Sequence, residues 1–243
     1  MAFLEKLLRS KVVVWTLIVL PGLWPLVPLF VTHNATVGTD PVKYILHHLG
    51  FVACLLLATV LTFTPLRVLF PKSKLALALN RHRRLVGVSA FAYAALHLTA
   101  HLFYEGGLVI GGYLEGKQGL GEAARLSGQR VLAILTSDVK KPFLLIGLIA
   151  FSILLVLAVT SLHAFVRWLG GRRWKTLHRL TYVAAALAAY HQAIARKIFP
   201  MQVVWIFGPL VLLEIARVIR QAANRRKTGQ GGAAVKSRPT SAA

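Results

Sequence analysis

Acidic residues are nearly missing from this sequence: seven Asp and Glu stand against 29 Lys and Arg, for a formal net charge of +22. Six of the seven, Glu5, Asp40, Glu105, Glu115, Glu122 and Asp138, fall in loops or at the N-terminus. Proton and cation pumps keep ionisable carboxylates in the membrane interior, so a pump or cation transporter is a poor reading. Metal-assisted hydrolysis lacks its usual base for the same reason, and no HExxH motif occurs. The seventh acid, Glu214, lies in the last turns of an apolar run, where Arg217 three residues on is a natural ion-pair partner. Cys54 is the single cysteine. It allows no intrachain disulfide and reads as a small core residue inside an apolar run.

What the chain has in place of acids is length of apolar sequence. Its 243 residues are 56% hydrophobic, with a mean hydropathy of +0.65, and only 15% are charged. A soluble domain carries roughly a quarter of its residues charged. Runs of about twenty apolar residues, enough to cross a hydrocarbon core of about 30 Å, recur near 12–31, 45–65, 85–104, 142–165, 177–196 and 200–219. Only helices fit runs of that length in a bilayer. The expectation is an all-α integral membrane protein, a six-helix transmembrane bundle. The first run has a basic prefix, but it is longer than a signal-peptide core and no small-residue cleavage site follows it, so it reads as a helix. The basic residues sit at the ends of apolar runs beside anionic lipid headgroups, not on a face of their own. Nucleic acid is therefore not the expected partner.

Placement of the cations sets an orientation. The N-terminus, the 66–84 and 166–179 segments and the tail from Arg217 hold 21 of the 29 Lys and Arg. By the positive-inside rule both termini lie in the cytoplasm. The domain reading follows: residues 1–11 as a cytoplasmic N-terminus, 12–220 as the membrane domain, and 221–243 as a disordered cytoplasmic tail rich in Gly, Ala, Ser and Lys. The 105–141 segment reads as an outer-face loop with one short interfacial helix.

Histidines are the remaining chemistry. Neutral imidazole is a good haem-iron ligand, and a bis-histidine site takes one side chain from each of two facing helices. His97 lies about twelve residues into the third run from the inner side, and His191 about fourteen into the fifth, so their depths differ by about 3 Å. They form the expected pair. His178 lies near the inner surface, with His82 and His163 as candidate partners. Thirteen residues separate it from His191 and turn the two side chains about 220° apart on an ideal helix, so two haems do not follow from the spacing alone. His101, one turn past His97, reads as an outer-leaflet polar residue and an alternative ligand. His33, His47 and His48 read as interfacial.

Four stretches carry a resemblance: "LTFTPLR" closing the second run, "RRLVGVSAFAYAALHL" in the third, "LAVTS" in the fourth and "LGGRRWKTLHRLTYVAAALAAYH" entering the fifth. In order and spacing they resemble the MsrQ (YedZ) family, haem-binding inner-membrane subunits of the periplasmic methionine sulfoxide reductase system within the ferric-reductase-like transmembrane superfamily. The resemblance covers roughly residues 10 to 220. It implies b-type haem, one or two, associated with His97, His178 and His191. It also implies electron transfer from quinol or a cytosolic flavin reductase to a periplasmic molybdopterin methionine sulfoxide reductase subunit (MsrP-like). Flavin mononucleotide and quinone are the further cofactors it brings in. Arg83 and Arg84 match an anion site for a haem propionate or flavin phosphate, and equally a topology anchor.

The residues add their own constraint. No G-x-G-x-x-G follows a strand, and little sequence follows the sixth run, so nicotinamide binding in the usual way is not expected. The expectation is an electron carrier between two separate partners that does not itself hold the substrate-reducing site. A non-redox anchor for a periplasmic enzyme and a transmembrane ferric reductase are the alternatives.

Overall fold

A computed structural model describes residues 10–28, 41–114, 116, 119–136, 140–195 and 201–236. His33, Arg196 and Lys197, and the first nine and last seven residues lie outside that description. The described chain is helical: α1 (Lys11–Leu23), α2 (Pro41–Leu69), α3 (Lys74–Arg81), α4 (Arg83–Leu114), α5 (Leu120–Thr136), α6 (Pro142–Thr160), α7 (His163–Leu177), α8 (Leu180–Ile194) and α9 (Gln202–Lys236). Among the described residues there is no strand.

Among the described residues, four helices are long and apolar enough to cross a membrane: α2, α4 over Arg83–Leu102, α6, and α9 over Gln202–Arg226. The sequence predicted six such spans. The other two apolar runs form shorter helices, α1 with 13 residues and α8 with 15. Pro21 interrupts the hydrogen-bond ladder of α1 near its end. α8 starts only after a turn at His178 and Arg179.

Other boundaries also moved for local reasons. The fourth run, expected to reach residue 165, stops at Thr160. There Thr160 Oγ1 donates to the Val156 carbonyl at 2.7 Å and Ser161 Oγ to Leu157 at 2.8 Å, which draws the last carbonyls away from the ladder. Leu162 is extended, and α7 leaves along a new direction. Gly170 kinks α7 at φ 70°, a backbone shape that other residues rarely adopt. The segment expected as an outer loop is mostly helical, because α4 continues to Leu114 and α5 is 17 residues long. Helix also runs past Arg220 to Lys236, where disorder was expected. Its first part, "QAANRRK", is rich in good helix formers.

α2 is the hub. Val52, Leu57, Leu61 and Phe63 are buried on it, and it packs against α1, α3, α4, α8 and α9. The bundle is built on two antiparallel pairs. In the first, Gly50 and Val60 of α2 lie beside His97 and Gly87 of α4. In the second, Gly147 of α6 lies beside His191 of α8, and Ser161 beside His178. Phe91 and Phe151 stack at 5.5 Å and join the pairs across α4 and α6. Between helices in lipid, close packing of this kind is the main source of cohesion. The ion pair expected near the end of the last run is present: Arg217 Nη2 lies 2.7 Å from Glu214 Oε2, and Tyr182 donates to Glu214 Oε1 at 3.0 Å.

Two hydrogen bonds fasten α1. Tyr93 Oη donates to the Ile18 carbonyl at 2.9 Å, and a His48 Nε2–H donates to the Pro21 carbonyl at 2.6 Å. His48 is thus a helix clasp where an interfacial residue was expected. Gly22 leaves room for the Tyr93 ring, since a Cβ there would overlap it. Tyr93→Phe should cost about 1 kcal/mol by stranding the Ile18 carbonyl. Gly22→Ala should cost more, about 1–3 kcal/mol, by displacing the ring itself. Unfolding of the purified protein in detergent measures both, and the reverse order of the two losses would contradict this docking.

Candidate functional site

The two helix pairs carry the same small device. In α2, the Leu46 carbonyl accepts a hydrogen bond from His97 Nδ1 at 2.8 Å, and Gly50 follows four residues later. In α6, the Phe143 carbonyl accepts from His191 Nδ1 at 2.7 Å, and Gly147 follows four residues later. A helical side chain leans toward the N-terminal turn and covers the backbone there. Glycine at the fourth position therefore uncovers the carbonyl of the first, and the imidazole takes the vacated space. A Cβ on Gly50 would lie 2.9 Å from His97 Nδ1, and one on Gly147 would lie 2.8 Å from His191 Nδ1.

The consequence is chemical. With Nδ1–H donating to a carbonyl, each ring is the tautomer whose Nε2 lone pair is left for something else. The two rings face one cavity of about 280 Å³ with centroids 6.2 Å apart and planes at 78°. Its walls are otherwise mainly apolar, with Leu98, Leu148, Phe151 and Leu154 among them. Cys54, expected as a core residue, is buried and also lines this cavity. Among the described residues no cluster of three or more His, Cys, Asp or Glu is arranged to hold a bare metal ion. The arrangement suits a planar group that brings most of its own metal ligands.

The depth match between His97 and His191 is therefore a real meeting of side chains. His178 is held differently. Its Nδ1 lies 3.1 Å from the Trp174 carbonyl of the preceding turn, its Nε2 lies 3.3 Å from Ser161 Oγ, and its ring stacks on Trp174 at 4.0 Å. Of its two candidate partners, His163 lies against the Arg84 guanidinium, with Nη1 3.0 Å from Nε2. His82 is buried at the C-cap of α3. Of Arg83 and Arg84, which open α4, Arg84 is with His163.

Sequence reasoning missed Gly50 and Gly147. Their signal was present, since a lone glycine inside an apolar helix costs about 1 kcal/mol and needs a reason. The same cost supplies a test by sign. Gly128, inside α5, faces open space where an alanine methyl would stand, so Gly128→Ala should gain about 0.5–1 kcal/mol. Gly50→Ala and Gly147→Ala should lose about 1–3 kcal/mol, because each methyl meets an imidazole. Detergent unfolding of the three variants reads the signs directly, and a gain at Gly50 or Gly147 would contradict the contact.

Comparison with known proteins places the chain in a family. The ferric reductase like transmembrane component family matches residues 49–189, which take in both glycines, His97 and His178 and end two residues before His191. The protein-methionine-sulfoxide reductase heme-binding subunit MsrQ of Brucella anthropi is 33% identical over 207 residues, covering 85% of this chain and 80% of the relative. Those of Brucella ovis and Brucella canis are 32% identical over the same coverage. The chain belongs to the MsrQ family of ferric-reductase-like transmembrane components.

Proposed function

We propose that the chain is a b-type haem protein of the bacterial inner membrane that passes electrons to a periplasmic methionine sulfoxide reductase subunit, supporting repair of oxidised proteins. The observation that carries this reading is the His97–His191 pair. Two imidazoles that bind one first-row metal from opposite sides, each through a nitrogen about 2 Å away, have centroids about 6 Å apart. The rings stand 6.2 Å apart. Hydrogen bonds from metal-bound histidines to backbone carbonyls fix tautomer and raise ligand basicity, and both rings make such a bond.

When bound, haem supplies a one-electron iron couple. The chain's own residues do the rest. His97 and His191 would hold the haem iron, and the Leu46 and Phe143 carbonyls hold those two rings in place. The walls between and below the two rings are mainly apolar. His178 sits thirteen residues before His191, with Trp174 stacked on it. It marks the entry side, whether through a second haem or through flavin mononucleotide, with Arg83 and Arg84 as the anion-binding cations.

In this reading residues 12–220 form a six-span membrane domain with both termini in the cytoplasm, supported by the distribution of Lys and Arg. α1 and α8 are the two further spans of that count. Quinol or a cytosolic flavin reductase is the donor, with quinone bound from the membrane in the first case. A molybdopterin-containing MsrP-like subunit is the acceptor. The names of the curated relatives, heme-binding subunits of protein-methionine-sulfoxide reductase, support that partnership.

Absorption and electron paramagnetic resonance spectra of purified wild type and of His97→Ala, His191→Ala and His178→Ala variants test the assignment. His97→Ala and His191→Ala should each remove the low-spin bis-histidine signal, because each opens an axial position. Wild-type spectra in both variants would sink it. A ferric reductase would keep delivering electrons to ferric iron when the periplasmic partner is deleted, whereas an electron carrier for that partner loses methionine sulfoxide repair.

A further inference from the structure

The cavity between His97 and His191 has two unlike ends. α2 and α4 run antiparallel, with Gly50 level with His97 and Val60 level with Gly87. Residues before Gly50 therefore lie level with residues after His97. That register gathers Lys43 and His47 of α2 with His101 and Tyr104 of α4, and all four line the cavity. The opposite end is walled by Cys54, Ala94, Phe151 and Leu154. Among the described lining residues there is no Asp or Glu. The cavity grades from basic to apolar along its length, with the two ligand-type histidines between.

A space with that gradient favours a flat apolar body with anionic groups on one edge. Haem b is such a body, since its two propionate carboxylates leave the same side of an otherwise apolar macrocycle. Resting on the reading that His97 and His191 hold haem, we propose that Lys43, His47 and His101 form the carboxylate-binding end of the site. They fix which way round the haem sits, with both propionates toward the N-terminal end of α2. The Lys43 ammonium and the imidazole N–H groups are donors suited to charge-assisted hydrogen bonds with carboxylates. The reverse orientation would leave two carboxylates among Cys54, Ala94, Phe151 and Leu154, where nothing compensates their burial. Lys43 is exposed at the mouth, and its stem can lie along apolar surface while its head meets the anion. His101, read from sequence as an outer-leaflet polar residue or alternative ligand, is on this account a positioning residue.

The test uses the full-length protein purified in detergent, with Lys43→Gln, His101→Gln, the double variant and Lys43→Arg beside His97→Ala. Electron paramagnetic resonance, spectroelectrochemical midpoint potential and the rate of haem loss to excess apomyoglobin are the readouts. Lys43→Gln and His101→Gln should keep the low-spin signal. Lys43→Gln should lower the midpoint potential, because a propionate relieved of its cation stabilises ferric iron, and His101→Gln, which swaps an imidazole donor for an amide, should lower it less. The double variant should lose haem roughly tenfold faster, as expected for lost charge-assisted bonds. Lys43→Arg should restore the potential and shift the propionate bending band in the resonance Raman spectrum, because a guanidinium grips both oxygens. If potential, haem loss and Raman band all stay at wild-type values while His97→Ala abolishes the low-spin signal, the orientation is wrong and the haem reading stands. If His97→Ala keeps that signal, the haem reading falls and this proposal with it.

Discussion

The bundle depends on one hydrogen bond made twice: an imidazole Nδ1–H given to a helix carbonyl on the neighbouring helix. A carbonyl inside a helix is normally screened by the side chain four residues later, and glycine at that position opens it. Gly50 and Gly147 do this in the two most closely packed helix pairs. The same contact brings the helices close, sets the tautomer and aims the remaining nitrogen. Packing and ligand chemistry are thus a single constraint. Substituting either glycine alters both.

His178 shows what the site looks like without that device. Its Nδ1 is held by a carbonyl of its own preceding turn, and its ring by Trp174 four residues earlier. From the end of α6, Ser161 Oγ reaches its Nε2 at 3.3 Å, and the Leu157 backbone is a further partner. Its Nδ1 is held locally, while its Nε2 side faces the end of α6. The two ends of one helical stretch therefore fix their histidines by different means, one through the fold and the other through neighbouring sequence.

Much of this was legible beforehand because bilayer thickness constrains apolar run length so tightly. Counting residues from the inner edge of each run placed His97 and His191 at one depth, and their side chains meet. The Glu214–Arg217 pair followed from helical spacing alone. What stayed hidden depends on events outside the pattern. Gly50 and Gly147 gain meaning only once it is known which helix faces them. The break after Thr160 comes from two hydroxyls that compete for carbonyls, a choice that hydropathy does not register. The glycine-rich start of the outer segment read as loop, although "LVIGGYL" continues α4. α1 came out short because Pro21 interrupts a run whose composition alone suggested a full crossing.

The antiparallel pairs α2–α4 and α6–α8 each own one ring, and the gap between the rings is also the gap between the two halves of the bundle. Anything that grips both rings acts as a rivet. Its binding free energy adds to the cohesion of the halves, by the mass-action linkage that stabilises any fold binding a ligand its unfolded chain does not. Loosening the halves weakens the grip by the same amount. Holding the cavity's occupant and holding the helices together are then one equilibrium, read from two sides.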